Sequence, residues 1–141
     1  MYELNNKTTL ITGGTSGIGK SLAEHFAQNN SKIIILDIDT DGEKVAKSLN
    51  GDFYHADLSK QVETENIINQ IKKDHKKIDI LINNAGFQKV EKIENYDNEV
   101  WNSMIQIMLT TPFQLIKHLL PNMKINKWGR VINISSIHGL V

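Results

Sequence analysis

The chain has no cysteine among its 141 residues, which removes disulfides and thiolate metal sites from consideration. Arginine is nearly missing too, with Arg130 the single example. A surplus of charge of either sign is absent, because 16 basic and 16 acidic residues cancel and no Lys/Arg-rich run stands out. That argues against nucleic acid or an anionic membrane surface as a partner and leaves a small molecule. No apolar stretch approaches the roughly 20 residues that span a bilayer. The polar start, Met1 to Lys7, has no apolar core of a secretion signal, so a cytoplasmic location is expected. The five histidines, at 25, 55, 75, 118 and 138, show no ligand spacing of the His-Glu-x-x-His kind, and no metal is expected.

What is present is an alternation of short apolar runs and longer amphipathic stretches. The length suits one domain, 1–141. Ile, Leu and Val concentrate in runs at 7–12, 32–37, 52–56, 78–83 and 129–134, which read as strands buried on both faces. Helical spacing fits 17–29, 41–49, 60–76 and 97–123, with Val62, Ile67, Ile68 and Ile71 as one apolar set. The two prolines spare the strands: Pro112 is expected to kink the last helix and Pro121 to lie near its end. The order predicts an α/β fold, a doubly wound parallel sheet of Rossmann type that ends after its fifth strand. Ligands are then expected at the carboxyl ends of the strands, near the topological switch point.

The first strand runs into Thr12-Gly13-Gly14-Thr15-Ser16-Gly17-Ile18-Gly19, followed at once by a helix. Glycines allow positive φ and a close backbone approach, and a helix N-terminus offers unpaired N–H groups to a pyrophosphate. The spacing is Gly-x-x-x-Gly-x-Gly rather than the general dinucleotide fingerprint Gly-x-Gly-x-x-Gly. The second strand ends in Asp37, about 20 residues beyond the glycines, where an acid accepts the adenosine ribose hydroxyls. A 2′-phosphate there meets like charge, and the lone arginine lies on a distant strand, so the expected cofactor is NAD. The alternative for Asp37 is a strand-ending acid on a solvated turn with Asp39 and Asp41.

Four motifs in order carry a resemblance: Thr12-Gly13-x-x-x-Gly17-x-Gly19, Asp57-Leu58 after strand three, Asn83-Asn84-Ala85-Gly86 after strand four, and Asn133-x-Ser135-Ser136 after strand five. The chain resembles the short-chain dehydrogenase/reductase family over essentially its whole length, and is incomplete relative to that family. The resemblance implies cofactor contacts by Thr12, Gly13, Thr15, Ser16, Gly17, Ile18 and Gly19, by Asp57 and Leu58 at the adenine, and by Asn84, Ala85 and Gly86. It implies hydride transfer between NAD and a small secondary alcohol or ketone, with Ser136 as the catalytic serine. Gly86-Phe87-Gln88, Trp128 to Asn133 and Ser136 to Val141 are similar to the D-3-hydroxybutyrate dehydrogenase branch. In that branch residues matching Gln88 and His138 hold the substrate carboxylate; otherwise they are a solvated loop glutamine and a turn histidine.

Two departures qualify these implications. The family's base is a tyrosine assisted by a lysine four residues on, and none of Tyr2, Tyr54 and Tyr96 has that neighbour. The family's catalytic asparagine falls at Met108, whose thioether cannot replace an amide, and Gln106 sits roughly 200° away around the helix. The chain by itself is therefore expected to be inactive. Alternatives are a non-catalytic NAD-binding or interaction module, or a decayed remnant. Ending after strand five also predicts an exposed apolar edge and helix face, and so aggregation or a homo-oligomer through strand five and the 97–123 helix, which the resemblance implies is a subunit interface.

Overall fold

A strand with helices on both sides must bury both of its faces, and the central strands do, with Thr8, Thr9 and Thr12 as the buried polar side chains of the first. The computed structural model describes residues 4–136. In it β1 (Thr8–Thr12) and β4 (Ile80–Asn83) are buried throughout, and β2 (Lys32–Asp37) is buried from Ile33 to Leu36. With β3 (Asp52–His55) and β5 (Arg130–Asn133) they form one parallel sheet in the order β3-β2-β1-β4-β5. The winding reverses between β1 and β4, so the switch point lies at the carboxyl ends of these two strands.

Alternate side chains feed two cores. Leu10, Ile34, Leu36 and Leu81 face α3 (Gln61–Asp74) and α5 (Thr111–Ile125), where they meet Ile68, Ile71, Leu115 and Leu119. Ile11, Ile33, Ile35 and Ile82 face α1 (Gly17–Gln28) and α2 (Gly42–Ser48), against Ala23 and Ala46. At the opposite end from the switch point, the buried carboxylate of Asp79 accepts from the Thr8 N–H at 2.9 Å and extends the β1–β4 ladder. Beyond β4 the outer strand β5 is open, with Val131, Ile132 and Ile134 each more than a third exposed.

Three helices hand over to strands through the same turn. After α1, α2 and α5, residues Asn30, Asn50 and Lys127 adopt φ of 64°, 51° and 53°. The following N–H groups of Ser31, Gly51 and Trp128 reach back to the carbonyls of Phe26, Ala46 and Met123. This double-bonded left-handed turn satisfies the terminal carbonyls and reverses the chain into the next strand.

The helix expected over 97–123 is not one helix. It is α4 (Asn98–Ile105), a π-helical turn (Gln106–Thr110) and α5. Pro112 accordingly occupies the first turn of α5 rather than a kink inside a continuous helix. The physical reason is that proline cannot donate to the carbonyl of Met108, four residues back. Directly before the proline the wider turn passes the Thr111 N–H to the Gln106 carbonyl, five residues back. A short 3₁₀ turn, Ile93–Asn95, precedes α4, whose N-terminus is capped by the Asp97 carboxylate through the Glu99 and Val100 N–H groups.

Candidate cofactor and substrate site

The carboxyl ends of β1, β2 and β4 open into a cleft of about 470 Å³. Its floor is the glycine turn after β1. Gly13 has φ +66°, and a Cβ there would lie 2.9 Å from the Ala85 Cα. A Cβ on Gly19 would run into the Gly13 carbonyl oxygen, so α1 can sit this close only with glycine. Gly17, at φ +51°, faces open space. Ser16 begins α1 without a side-chain cap, and no acidic residue occupies the first turn. The first turn of α1 therefore has neither a side-chain cap nor an acid of its own, and a helix N-terminus of that kind suits a pyrophosphate. A dinucleotide fits the residues present, because glycine at 13 and 19 keeps the turn and the start of α1 close together where a Cβ would collide with backbone.

Two polar clamps hold the cradle. The Thr12 hydroxyl accepts from the N–H groups of Asn84 and Ala85, both at 3.0 Å, and the Asn84 amide donates to the carbonyls of Thr12 and Gly13 at 3.1 and 2.9 Å. Thr12 and Gly19 thus stand behind the cleft wall and shape it. Gly13, Thr15, Ser16, Gly17, Ile18, Asn84, Ala85 and Gly86 form the wall itself. On the other side Asp37 Oδ2 accepts from the Thr15 N–H at 3.0 Å and its hydroxyl at 2.8 Å, while Oδ1 accepts from the Asp39 N–H at 3.1 Å. A carboxylate has about four acceptor positions, so room is left for a ribose hydroxyl at a rigidly held anion.

Asp57 and Leu58 line the same cleft beyond Asp37. The Asp57 carboxylate bends back onto Ser59, accepting from its hydroxyl at 2.7 Å and its N–H at 2.9 Å. The Ser59 hydroxyl leads in holding its pKa below the usual carboxylate range, with burial opposing. Wall residues not anticipated include Ile38, Phe87 and Ile107. Ile38 carried a signal, an apolar residue directly after the strand-ending acid. Ile107 carried none, because the π turn decides which side chain of that segment faces the cleft.

The expected substrate side is less assembled. Gln88 is exposed in the loop after β4 and is not part of the wall; Ser136 is exposed just beyond β5. His138 lies outside the described residues. Between these segments the Asn83 amide donates to the Asn133 side-chain oxygen at 2.7 Å, tying the ends of β4 and β5 together. Met108 lies against Gly86, its sulfur 3.2 Å from where a Cβ would stand. Gln106 turns the other way, its amide 3.2 Å from the Thr111 hydroxyl, so no amide replaces Met108. Among the described residues, no group of three His, Asp or Glu side chains could hold a metal ion, and no helix is long and apolar enough to cross a membrane.

Comparison with known proteins agrees with this geometry. A family model described as short chain dehydrogenase matches residues 7–141. A D-beta-hydroxybutyrate dehydrogenase of Cupriavidus necator is 41% identical over 98% of this chain and 56% of its own length. A bulky-bulky ketone specific alcohol dehydrogenase from Comamonas testosteroni superposes with a TM-score of 0.89 at 27% identity, over 97% of this chain and 57% of that one. A metagenomic short-chain oxidoreductase in complex with NADP shares the fold, with a TM-score of 0.89 at 24% identity over 96% of this chain and 64% of that one. The chain spans little more than half the length of the curated relative it matches.

Proposed function

The chain belongs to the short-chain dehydrogenase family, and from that premise we propose that it supplies the NAD-binding part of an oxidoreductase acting on a small hydroxy acid or ketone of the 3-hydroxybutyrate type. The observation that carries this reading is the glycine cradle facing Asp37 across one cleft. The bound nicotinamide supplies the hydride acceptor or donor. The chain's own residues bind and orient: the α1 N-terminus holds the pyrophosphate, Asp37 the adenosine ribose, and Asp57 and Leu58 the adenine. Asp37 also favours NAD over NADP, because the wall contains Asp37, Asp39 and Asp57 and no lysine or arginine to meet a 2′-phosphate. Ser136 orients the substrate oxygen, and Gln88 and His138 take the substrate carboxylate by hydrogen bonds.

Proton transfer needs a base within hydrogen-bond reach of the substrate hydroxyl. The 141 residues contain three tyrosines, none with lysine four positions on, and Met108 occupies the place of the relay asparagine. These residues favour a second reading in which the chain binds NAD(H) without turnover. NADH fluorescence titration of the whole chain, with 3-hydroxybutyrate oxidation followed at 340 nm, separates the readings. Saturable NADH binding is expected. Its absence at about millimolar NADH, a level at which even binding energies near 4 kcal/mol register, would sink both. Turnover with 3-hydroxybutyrate would refute the non-catalytic one.

An exposed apolar line suggests a partner as well. Trp101, Ile105, Leu109 and Phe113 are 53%, 39%, 65% and 62% exposed along one line of α4, the π turn and α5. A second copy of the chain is the occupant we assign to that face.

A further inference from the structure

A chain of polar groups, buried at Thr111 and Gln114, half-buried at Gln106 and exposed at Glu65, joins the α4–α5 junction to the adenine side of the cleft, and nothing in the cofactor reading uses it. Thr111 is 1% exposed, and its hydroxyl donates to the Leu58 carbonyl at 3.2 Å, across 53 residues of sequence. Thr64, fully buried, reaches the same carbonyl only at 3.5 Å. Gln106 Nε2 lies 3.2 Å from the Thr111 hydroxyl and 3.4 Å from Gln114 Oε1. Gln114, 6% exposed, donates in turn to Glu65 Oε1 on α3 at 3.1 Å.

The polarity of this chain follows from its outer end. An ionised carboxylate only accepts, so Gln114 must turn its amide nitrogen to Glu65 and its oxygen to Gln106. Gln106 must then present its own nitrogen, which it shares between Gln114 and the Thr111 oxygen. With a lone pair of that oxygen taken, the Thr111 proton is committed to the Leu58 carbonyl. The π turn is what makes this reachable, because it brings Gln106 and the start of α5 onto one inward face while Ile107 still lines the cleft.

Resting on the cofactor reading above, we propose that Thr111 is a positioning residue for the adenine wall, and that Glu65, through Gln114 and Gln106, sets the direction of its hydrogen bond. The Leu58 backbone is held where Asp57 and Leu58 can border the adenine. Losing that bond lets the corner drift without removing any group that touches the cofactor. Glu65 is a surface carboxylate that does not line the cleft, so it acts through the chain of amides rather than by contact.

The test is titration of the whole chain with NADH and with ADP-ribose, alongside thermal melts. Wild type that binds neither ligand ends the cofactor reading and this inference with it. If wild type binds, Thr111→Val is expected to weaken both ligands about fivefold, the size of one ordinary hydrogen bond. Thr111→Ser keeps the hydroxyl and is expected to restore affinity even though it loses a methyl group from the core. Equal affinity in Thr111→Val and wild type, or equal weakness in the Val and Ser variants, overturns the proposal while the cofactor reading stands. Should Thr111→Val fail to fold, Glu65→Lys decides the question. It replaces the terminal acceptor by a donor, reverses both amides and draws the Thr111 proton to Gln106. Added positive charge by itself strengthens binding of an anionic cofactor. A weakening of about threefold is expected instead, as a partial loss of one hydrogen bond, and unchanged or tighter binding overturns the directional chain.

Discussion

Asp37 does two things with one carboxylate. It holds the Thr15 N–H and hydroxyl, which fixes the far lip of the glycine turn, and it presents a remaining acceptor to the cleft. Asp37→Ala should therefore reduce NADH affinity about tenfold, close to 1.4 kcal/mol, and should narrow the difference between NADH and NADPH. Competitive fluorescence titration of the two nucleotides checks both numbers. An unchanged NADPH:NADH ratio would mean that the acid at the end of β2 does not discriminate. Met108 is the opposite case, a side chain that the structure uses for packing. Its contact with Gly86 is packing, and packing transfers no proton.

Helix ends decide how the elements connect. Asn30 and Asn50 tolerate the left-handed turn that closes α1 and α2, whereas Lys127 after α5 takes the same conformation with a long side chain. Lys127→Gly should stabilise the chain by about 1 kcal/mol, read as a higher urea midpoint at unchanged slope. A second local feature ties the end of α3 to the edge of the sheet. The Tyr54 hydroxyl donates to Asp74 at 2.9 Å and lies 2.9 Å from His75 Nε2, which leaves the neutral imidazole as the donor to Tyr54. Burial first, and then the Lys32 ammonium, lower the pKa of His75 below its ordinary 6.5; Asp52 and Asp74 oppose. The unfolded chain thus takes up a proton before the folded one does. Stability should be flat above the unfolded value of 6.5 and fall as pH drops from there through the lowered folded value. His118 is displaced the same way, again by burial and then by Lys72 and Lys117. Urea midpoints in a series across this range should decline toward acid, and His75→Gln should flatten the decline.

Taken whole, the molecule combines acids and apolar side chains at the cleft and is apolar along one flank. The line from Trp101 to Phe113 is contiguous over three segments, and long apolar side chains in a row on a surface mark a contact face. Light scattering of the whole chain should give an oligomer, and Phe113→Glu should shift it toward monomer without changing NADH affinity. A wild-type monomer at high concentration would remove the second copy from that face.

Local chemistry by itself determined the strand order of burial, the glycine cradle and the acid at the end of β2. Those depend on period, on the absence of a Cβ and on a residue's place at a strand end, all of which are written along the chain. The observed strands, from Thr8–Thr12 to Arg130–Asn133, fall inside the expected runs for that reason. Only the tertiary structure decided the rest. The break at Gln106–Thr110 follows from one missing donor at Pro112, but whether a helix answers with a kink or a wider turn depends on what packs beneath it. Thr111, Gln114 and Glu65 are ordinary polar residues in sequence and become a connected relay because α3 and α5 lie side by side under Leu58. Contacts across 49 to 53 residues leave no local pattern, since the groups that satisfy them are chosen by the fold and not by their neighbours in the chain.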